Sequence, residues 1–308
     1  MSAHPQVPLS ARVELAHAAV QALADDRGIR VLHIKGPAAD PTLRAGTSAG
    51  SDVDIIVDPC HVPTLLTTLR AAGWTSITDF TTGSAFDHAA NLFHHDWGLL
   101  DVHRTYPGLD RDPQATFERL WATRQTLLLA HYPCAVPDRT AQALVVLLHA
   151  ARSPHLAGEL HPDAGPAWFE RTDAERLAVS ELAADLGAQV ALAAATGRLD
   201  ELPTTGEAAL WVWFAKGGTR LEEWQARLRA APTWRARLSV IRRAFLVNEY
   251  YLAQRLGHDP TPAEIRREAL RRLGHAARDA THGWRRAGRR LADRYRRPRP
   301  QPSREEQP

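Results

Sequence analysis

The sequence predicts an α+β fold: a small mixed β-sheet with flanking helices over residues 1–138, a mostly α-helical unit over 139–297, and a disordered tail over 298–308. Three observations carry that expectation. At 308 residues the chain is long enough to favour two domains over one. Up to Pro137-Asp138-Arg139-Thr140, helical periodicity alternates with short apolar runs bounded by Gly and Pro, and beyond that junction the periodicity is helical throughout. After Pro298 no apolar residue other than proline occurs, so nothing there can build a core.

From Ser10 to Asp26, Val13, Ala16, Val20 and Leu23 recur at helical spacing, with Ser10 as N-cap and Gly28 closing the helix. Arg30 to Ile34 reads as a buried strand running into Lys35-Gly36-Pro37. Residues 38–51, with Pro41, Gly46 and Gly50, form a loop with room for a short helix. Asp52 to Val57 is the next strand, stopped by Pro59, and Asp58 is a turn residue. Leu65, Leu66 and Leu69 make His61 to Ala72 a second helix, punctuated by Gly73-Trp74.

Asp87 to His95 and Gly98 to Arg104, separated by Asp96-Trp97, read as a hairpin whose second strand carries Asp101 and His103 on one face. Pro113 to Thr123 is helical and Leu127 to Leu129 a further strand. In the second half Thr140–Arg152, Asp173–Thr196, Glu207–Phe214, Arg220–Arg229 and Arg235–Leu256 read as helices. Pro260 to Tyr295 holds two more, the first capped by Thr261 with Pro262 at its opening position. Trp211, Trp213, Phe214, Trp224 and Trp234 are expected in the helical core.

Composition excludes several classes. No apolar run approaches the ~20 residues of a membrane helix, Ala141 to Ala151 being the best candidate. The start, Met1-Ser2-Ala3-His4-Pro5, has neither a basic nor an apolar export region, so a cytoplasmic protein is expected. Cys60 and Cys134 belong to no Cys-x-x-Cys pair and suit a reducing compartment. A net charge of +3 rules out a strongly basic nucleic-acid binder. Lysine occurs only at Lys35 and Lys216 in an arginine-rich chain, which singles out the compact ammonium of Lys35 near Asp52 and Asp54.

Those two aspartates, in Gly50-Ser51-Asp52-Val53-Asp54-Ile55-Ile56-Val57, are the most informative feature. On a strand their carboxylates share one face while Val53, Ile55 and Val57 anchor the other. Two like charges so close call for a cation between them, and a hard divalent ion such as Mg²⁺ is the usual answer.

An apolar strand ending in Lys35-Gly36, a loop, Ser51-Asp52-Val53-Asp54-Ile55-Ile56-Val57 and then Leu100-Asp101-Val102-His103-Arg104 together resemble the polymerase-beta-type nucleotidyltransferase superfamily. More closely they resemble its bacterial branch of nucleotidyltransferase family proteins. The resemblance lies in the sheet-bearing part of the chain. It implies two Mg²⁺ or Mn²⁺ ions, an NTP substrate and an unidentified hydroxyl-type acceptor, small molecule, peptide or RNA, with pyrophosphate released. Carried across residue by residue, it makes Asp52, Asp54 and Asp101 the metal ligands and catalytic residues, with Asp101 doubling as general base. Lys35, Gly36 and Ser51 become the nucleotide-binding residues. Pro37 departs from the usual Gly-Ser or Gly-Gly turn, and the gap between Gly36 and Asp52 is long for the pattern.

Other assignments compete. His103 orients a carboxylate or meets substrate; a zinc site built from His88, His94, His95 and His103 with Cys60 or Cys134 matches no zinc ligand spacing. The Arg285 to Arg299 segment, beside Trp284, offers a weak RNA or polyanion contact, although a solvated helix face followed by a tail is the favoured account. Two alternatives share the fold: a catalytically silent binding module and a toxin-like RNA nucleotidyltransferase.

Overall fold

The computed structural model describes residues 7–278 apart from 47–49, 81–87, 154–158, 204, 207, 232, 245, 273 and 275–277. The Arg285–Arg299 segment and the 298–308 tail lie outside the described residues. The fold is α+β. Strands β1 (Val31–Ile34), β2 (Asp52–Val57), β3 (Thr75–Ser76), β4 (Ala89–His94) and β5 (Gly98–His103) form a mixed sheet in the order β1-β2-β5-β4-β3. β2 and β5 run parallel, and every other neighbouring pair is antiparallel.

Alternation along the strands separates two faces. Val53, Ile55 and Val57 of β2 join Leu92, Leu100 and Val102 beneath α1 (Leu9–Asp25) and α2 (Val62–Ala71). All six are fully buried, which stabilises the fold by about 1.5–3 kcal/mol for each large side chain. A one-residue slip of β2 would drive Asp52 and Asp54 into that core, so the apolar side fixes the register of the carboxylates.

On the opposite face Leu32, Ile34 and Ile56 meet Tyr106, α3 (Pro113–Ala122) and α4 (Arg139–Ala150). The same core continues through α5 (Asp173–Asp185), α6 (Gln189–Ala195) and Trp211 of α7 (Ala208–Lys216). Asp138 caps α4 by accepting the Ala141 N–H at 2.8 Å. Apolar packing is thus continuous across residue 138. The small hairpin of β6 (Gln125–Leu129) and β7 (Tyr132–Val136) packs against α1 and β1. Helices α8 (Arg220–Ala230), α9 (Trp234–Ala244), α10 (Glu249–Leu256) and a helix over 262–272 follow among the described residues.

Several elements differ from expectation for identifiable reasons. Ser10 lies inside α1 rather than capping it; Pro8 occupies the cap position and supplies no side-chain bond. The single helix expected over 173–196 is two, because Gly187 takes φ +70° and ends α5. The helix expected over 235–256 breaks before α10, where the Asn248 carbonyl accepts the Leu252 N–H. Trp234 is 70% exposed, not core. Asp58 is more than a turn residue: buried at 1%, it accepts from the Cys60 N–H and from the Arg30 guanidinium.

A polar network ties α1 to β1 inside the core. His17 Nδ1 lies 2.7 Å from His33 Nδ1, and His33 Nε2 lies 3.1 Å from Gln21 Oε1. Gln21 Oε1 also accepts the Ala135 N–H, so the amide oxygen faces His33 and His33 carries its proton on Nε2. His17 must then donate through Nδ1, which leaves its buried Nε2 without a hydrogen-bond partner. Burial pulls His17 down to about 4, against the pull of Asp54, and holds His33 well below its ordinary value. Burial also lowers His149 to about 3 and brings His88 down.

Acid should therefore weaken the fold. An unfolded histidine takes up a proton near pH 6.5, whereas folded His17 refuses one until about 4, so stability present above pH 6.5 is lost as the pH falls. By pH 5 each such group costs about 2 kcal/mol. Asp101, raised to about 7 by burial and the Asp54 charge, and Asp52, raised by the same two causes, oppose the trend. Denaturant midpoints at pH 5 are expected below those at pH 7.5; equal or higher midpoints would exclude neutral buried histidines.

Candidate active site

The pairing of β2 with β5 sets the site. Asp54 and Asp101 are direct register partners across the parallel strands, and Asn91 of β4 faces Asp101 from the other side. Asp52 precedes Asp54 by two residues and shares its face, as expected from the alternation. The row Ile34, Asp54, Asp101, Asn91 therefore crosses four strands.

Asp54 is 4% exposed and engaged twice at Oδ1, by Lys35 Nζ at 2.5 Å and His103 Nε2 at 2.8 Å. Burial alone would raise its pKa; Lys35 and His103 together outweigh burial and hold the carboxyl well below the usual range. Burial is the largest single influence on Lys35 and disfavours its charge, but Asp54, by charge and hydrogen bond, and Tyr106 together outweigh it and keep the ammonium charged. His103, donating through Nε2, stays neutral because burial lowers it further than Asp54 raises it. His103 is thus hydrogen-bonded to the Asp54 carboxylate.

Lys35 reaches Asp54 through an unusual backbone. It has φ +59° and ψ −173°, a region that costs a non-glycine residue about 1–3 kcal/mol and persists only where the surroundings enforce it. Gly36 follows at φ +48° and opens a short 3₁₀ turn with Pro37. Gly50, at φ +79°, packs against this turn so closely that a Cβ there would lie 3.2 Å from Gly36 Cα. The loop entering β2 is therefore clasped to the Lys35-Gly36 turn, which brings three sequence-predicted residues, Lys35, Gly36 and Ser51, to the same end of the sheet.

Asp101 is held differently. Asn91 Nδ2 donates to its Oδ1, while Asn91 Oδ1 accepts from Thr78 Oγ1 at 2.5 Å and the Asn91 N–H donates to Thr78 Oγ1 at 3.1 Å. Burial and the negative charges of Asp54 and Asp52 push Asp101 up to about 7 despite the Asn91 hydrogen bond. Asp52, more open, accepts from Ser51 Oγ at 3.2 Å, and burial and Asp54 raise its pKa. Among the described residues Oδ2 of Asp54 and of Asp101 has no hydrogen-bond partner, so each carboxylate is fixed by one oxygen and offers the other.

Ligand atoms of Asp54, Asp101 and His103 lie within 4.8 Å of one another, close enough to hold a metal ion, and Asp52 is not in that group. The acidic, oxygen-rich face and the mutual repulsion recorded in the raised Asp101 suit a hard divalent cation. No described set of histidines and cysteines has zinc-site geometry; His94 is the last residue of β4 and His95 lies in the turn after it.

Three residues near the carboxylates were not anticipated. Asn91 was hidden by register: a two-residue Asp96-Trp97 turn would set Leu92 opposite Asp101, whereas the turn spans 95–97 and His94 pairs with Gly98. Tyr106 lies beside His103 with ring centroids 5.5 Å apart, and Arg152 lies over the Tyr106 ring at 5.2 Å. Nothing in the local sequence marks either one.

No family model and no curated protein sequence matches the chain. Two solved structures resemble it weakly. One is lincosamide antibiotic adenylyltransferase LnuA bound to lincomycin, at 16% identity and a TM-score of 0.31, covering 55% of this chain and 94% of that one. The other is the antibiotic-resistance factor ANT(2'')-Ia, at 16% identity and a TM-score of 0.36, covering 63% and 94%. Likeness at this level carries no weight. What the site can do follows from its own geometry. No described helix is long and apolar enough to cross a membrane.

Proposed function

We propose that this protein is a metal-dependent nucleotidyltransferase that moves a nucleoside monophosphate from an NTP to a hydroxyl-type acceptor and releases pyrophosphate. The observation that supports it most is the Asp54 and Asp101 pair, fixed in register on adjacent parallel strands, each with one oxygen tied back and one presented. Asp52, Asp54 and Asp101 would hold the Mg²⁺ or Mn²⁺ ions, which when bound supply charge neutralisation at the phosphates.

The chain's own residues do the rest. Asp101 presents its unpaired Oδ2 to take a proton from an acceptor hydroxyl; without metal, burial and the Asp54 charge raise its pKa to about 7. Asn91 keeps that oxygen facing the site. Lys35 sets the charge of Asp54, and His103 fixes its rotamer. Lys35, the Gly36 turn and Ser51 are the proposed nucleotide contacts, and the helices after residue 138 the proposed acceptor wall, in keeping with a catalytic unit over 1–138 and a helical one over 139–297. Such chemistry proceeds mainly through positioning and charge stabilisation.

The test is label transfer. Purified protein with α-labelled NTPs, Mg²⁺ or Mn²⁺ and pools of metabolites, peptides and RNA should label an acceptor, and Asp52→Asn should cut the rate at least ~100-fold. A wild type that neither binds metal–NTP nor labels any acceptor refutes the enzyme. One observation favours a second reading, a silent binding module: Lys35 already balances Asp54. That reading expects NTP binding without transfer.

A further inference from the structure

Arg152, just beyond α4, is the cation this site leaves unexplained. Its guanidinium lies 5.2 Å from the Tyr106 ring centroid, and Lys35 Nζ lies 6.0 Å from the same centroid. Lys35 has Asp54 as counterion; Arg152 forms no ion pair among the described residues. Its Nε is buried without a hydrogen-bond partner, and its one side-chain hydrogen bond among the described residues, Nη2 to Tyr106 Oη, is long at 3.4 Å. A buried charged donor left unsatisfied is costly, and native proteins rarely keep one without a ligand to meet it. Nearby His149 also has a buried Nδ1 with no partner. Burial first, then Lys35 and Arg152, bring His149 down to about 3, the mark of a positive local field. Two cations on one aromatic platform, one uncompensated, make a receptor for a multiply charged anion.

We infer that Arg152 and Lys35, set around Tyr106, form a subsite for the polyphosphate tail of the nucleotide, with Arg152 supplying the fork that binds phosphate oxygens. The inference rests on the nucleotide-transfer reading for the identity of the ligand. Its geometry is independent of it. Arg152 enters from the helical half of the chain, so nucleotide binding would join α4 to the sheet that carries the carboxylates.

Inorganic tripolyphosphate, titrated calorimetrically into the full-length protein without metal, is the probe. Wild type is expected to bind it, Arg152→Gln about 10- to 100-fold more weakly and with a shallower salt dependence, and Arg152→Lys in between. Arg198→Gln, an exposed arginine paired with Glu201, should bind like wild type. Circular dichroism shows whether Arg152→Gln is folded; if it is not, the Arg152→Lys affinity decides. Equal affinity in wild type and the Arg152 variants, or no binding by wild type, overturns the subsite. If label transfer occurs and the KM for NTP is unchanged in Arg152→Gln, the subsite falls and the enzyme stands. If tripolyphosphate binding depends on Arg152 but no label is transferred, the subsite stands and the enzyme falls.

Discussion

Asp54→Asn is expected to lower stability by about 3–5 kcal/mol as well as abolish label transfer, because it strands a buried cation. Lys35 has only 18% of its side chain exposed, its backbone is held at φ +59°, and Asp54 is its one ion-pair partner among the described residues. The amide keeps an oxygen for His103 but no charge for the ammonium. Adding Lys35→Met should restore most of the lost stability, since removing both members of a buried pair is nearly neutral whereas removing one is not. Denaturant unfolding of the two single variants and the double variant gives the coupling directly. A single-variant loss under about 1 kcal/mol would mean that Lys35 turns to solvent, and the pair would cease to explain the strained turn.

That pairing shows where the sequence speaks and where it is silent. The strand around Asp52 and Asp54 was legible because alternation with Val53, Ile55 and Val57 is a local property and the hydrophobic effect acts on it directly. The isolation of Lys35 in an arginine-rich chain drew attention to that residue, but not to Asp54 as its partner, which depends on the β1–β2 register that sets Ile34 opposite Asp54. Turn chemistry hid more. β7 carries Pro133, and its turn uses Ala130 and His131 at φ +46° and +65° where Asn-Gly would have announced a hairpin. One residue more in the turn after His94 moved Asn91 opposite Asp101. Arg152 lies about fifty positions from its ring partner Tyr106, and no local pattern encodes such a distance.

Asp101→Asn should behave in the opposite way from Asp54→Asn. The Asp101 carboxyl is pushed up to about 7 by burial and by Asp54, against an unfolded value near 3.8, so its ionised form weakens the metal-free fold as the pH rises through that interval. Replacing it with a neutral amide removes that liability while Asn91 can still donate to the new carbonyl oxygen. At pH 8 the variant should be as stable as wild type or more stable by about 1–3 kcal/mol, and by pH 5 the gain should shrink. Label transfer should nonetheless fall at least ~1000-fold, the loss of a general base compounded by that of a metal ligand. Mg²⁺ should raise the unfolding midpoint of wild type and leave the variant unmoved, because binding to the native state alone stabilises by mass action. A stable, active Asp101→Asn would remove Asp101 from the chemistry. A destabilised, inactive one would make it structural, and only stability gained with activity lost marks a charge retained for function against the interest of the fold.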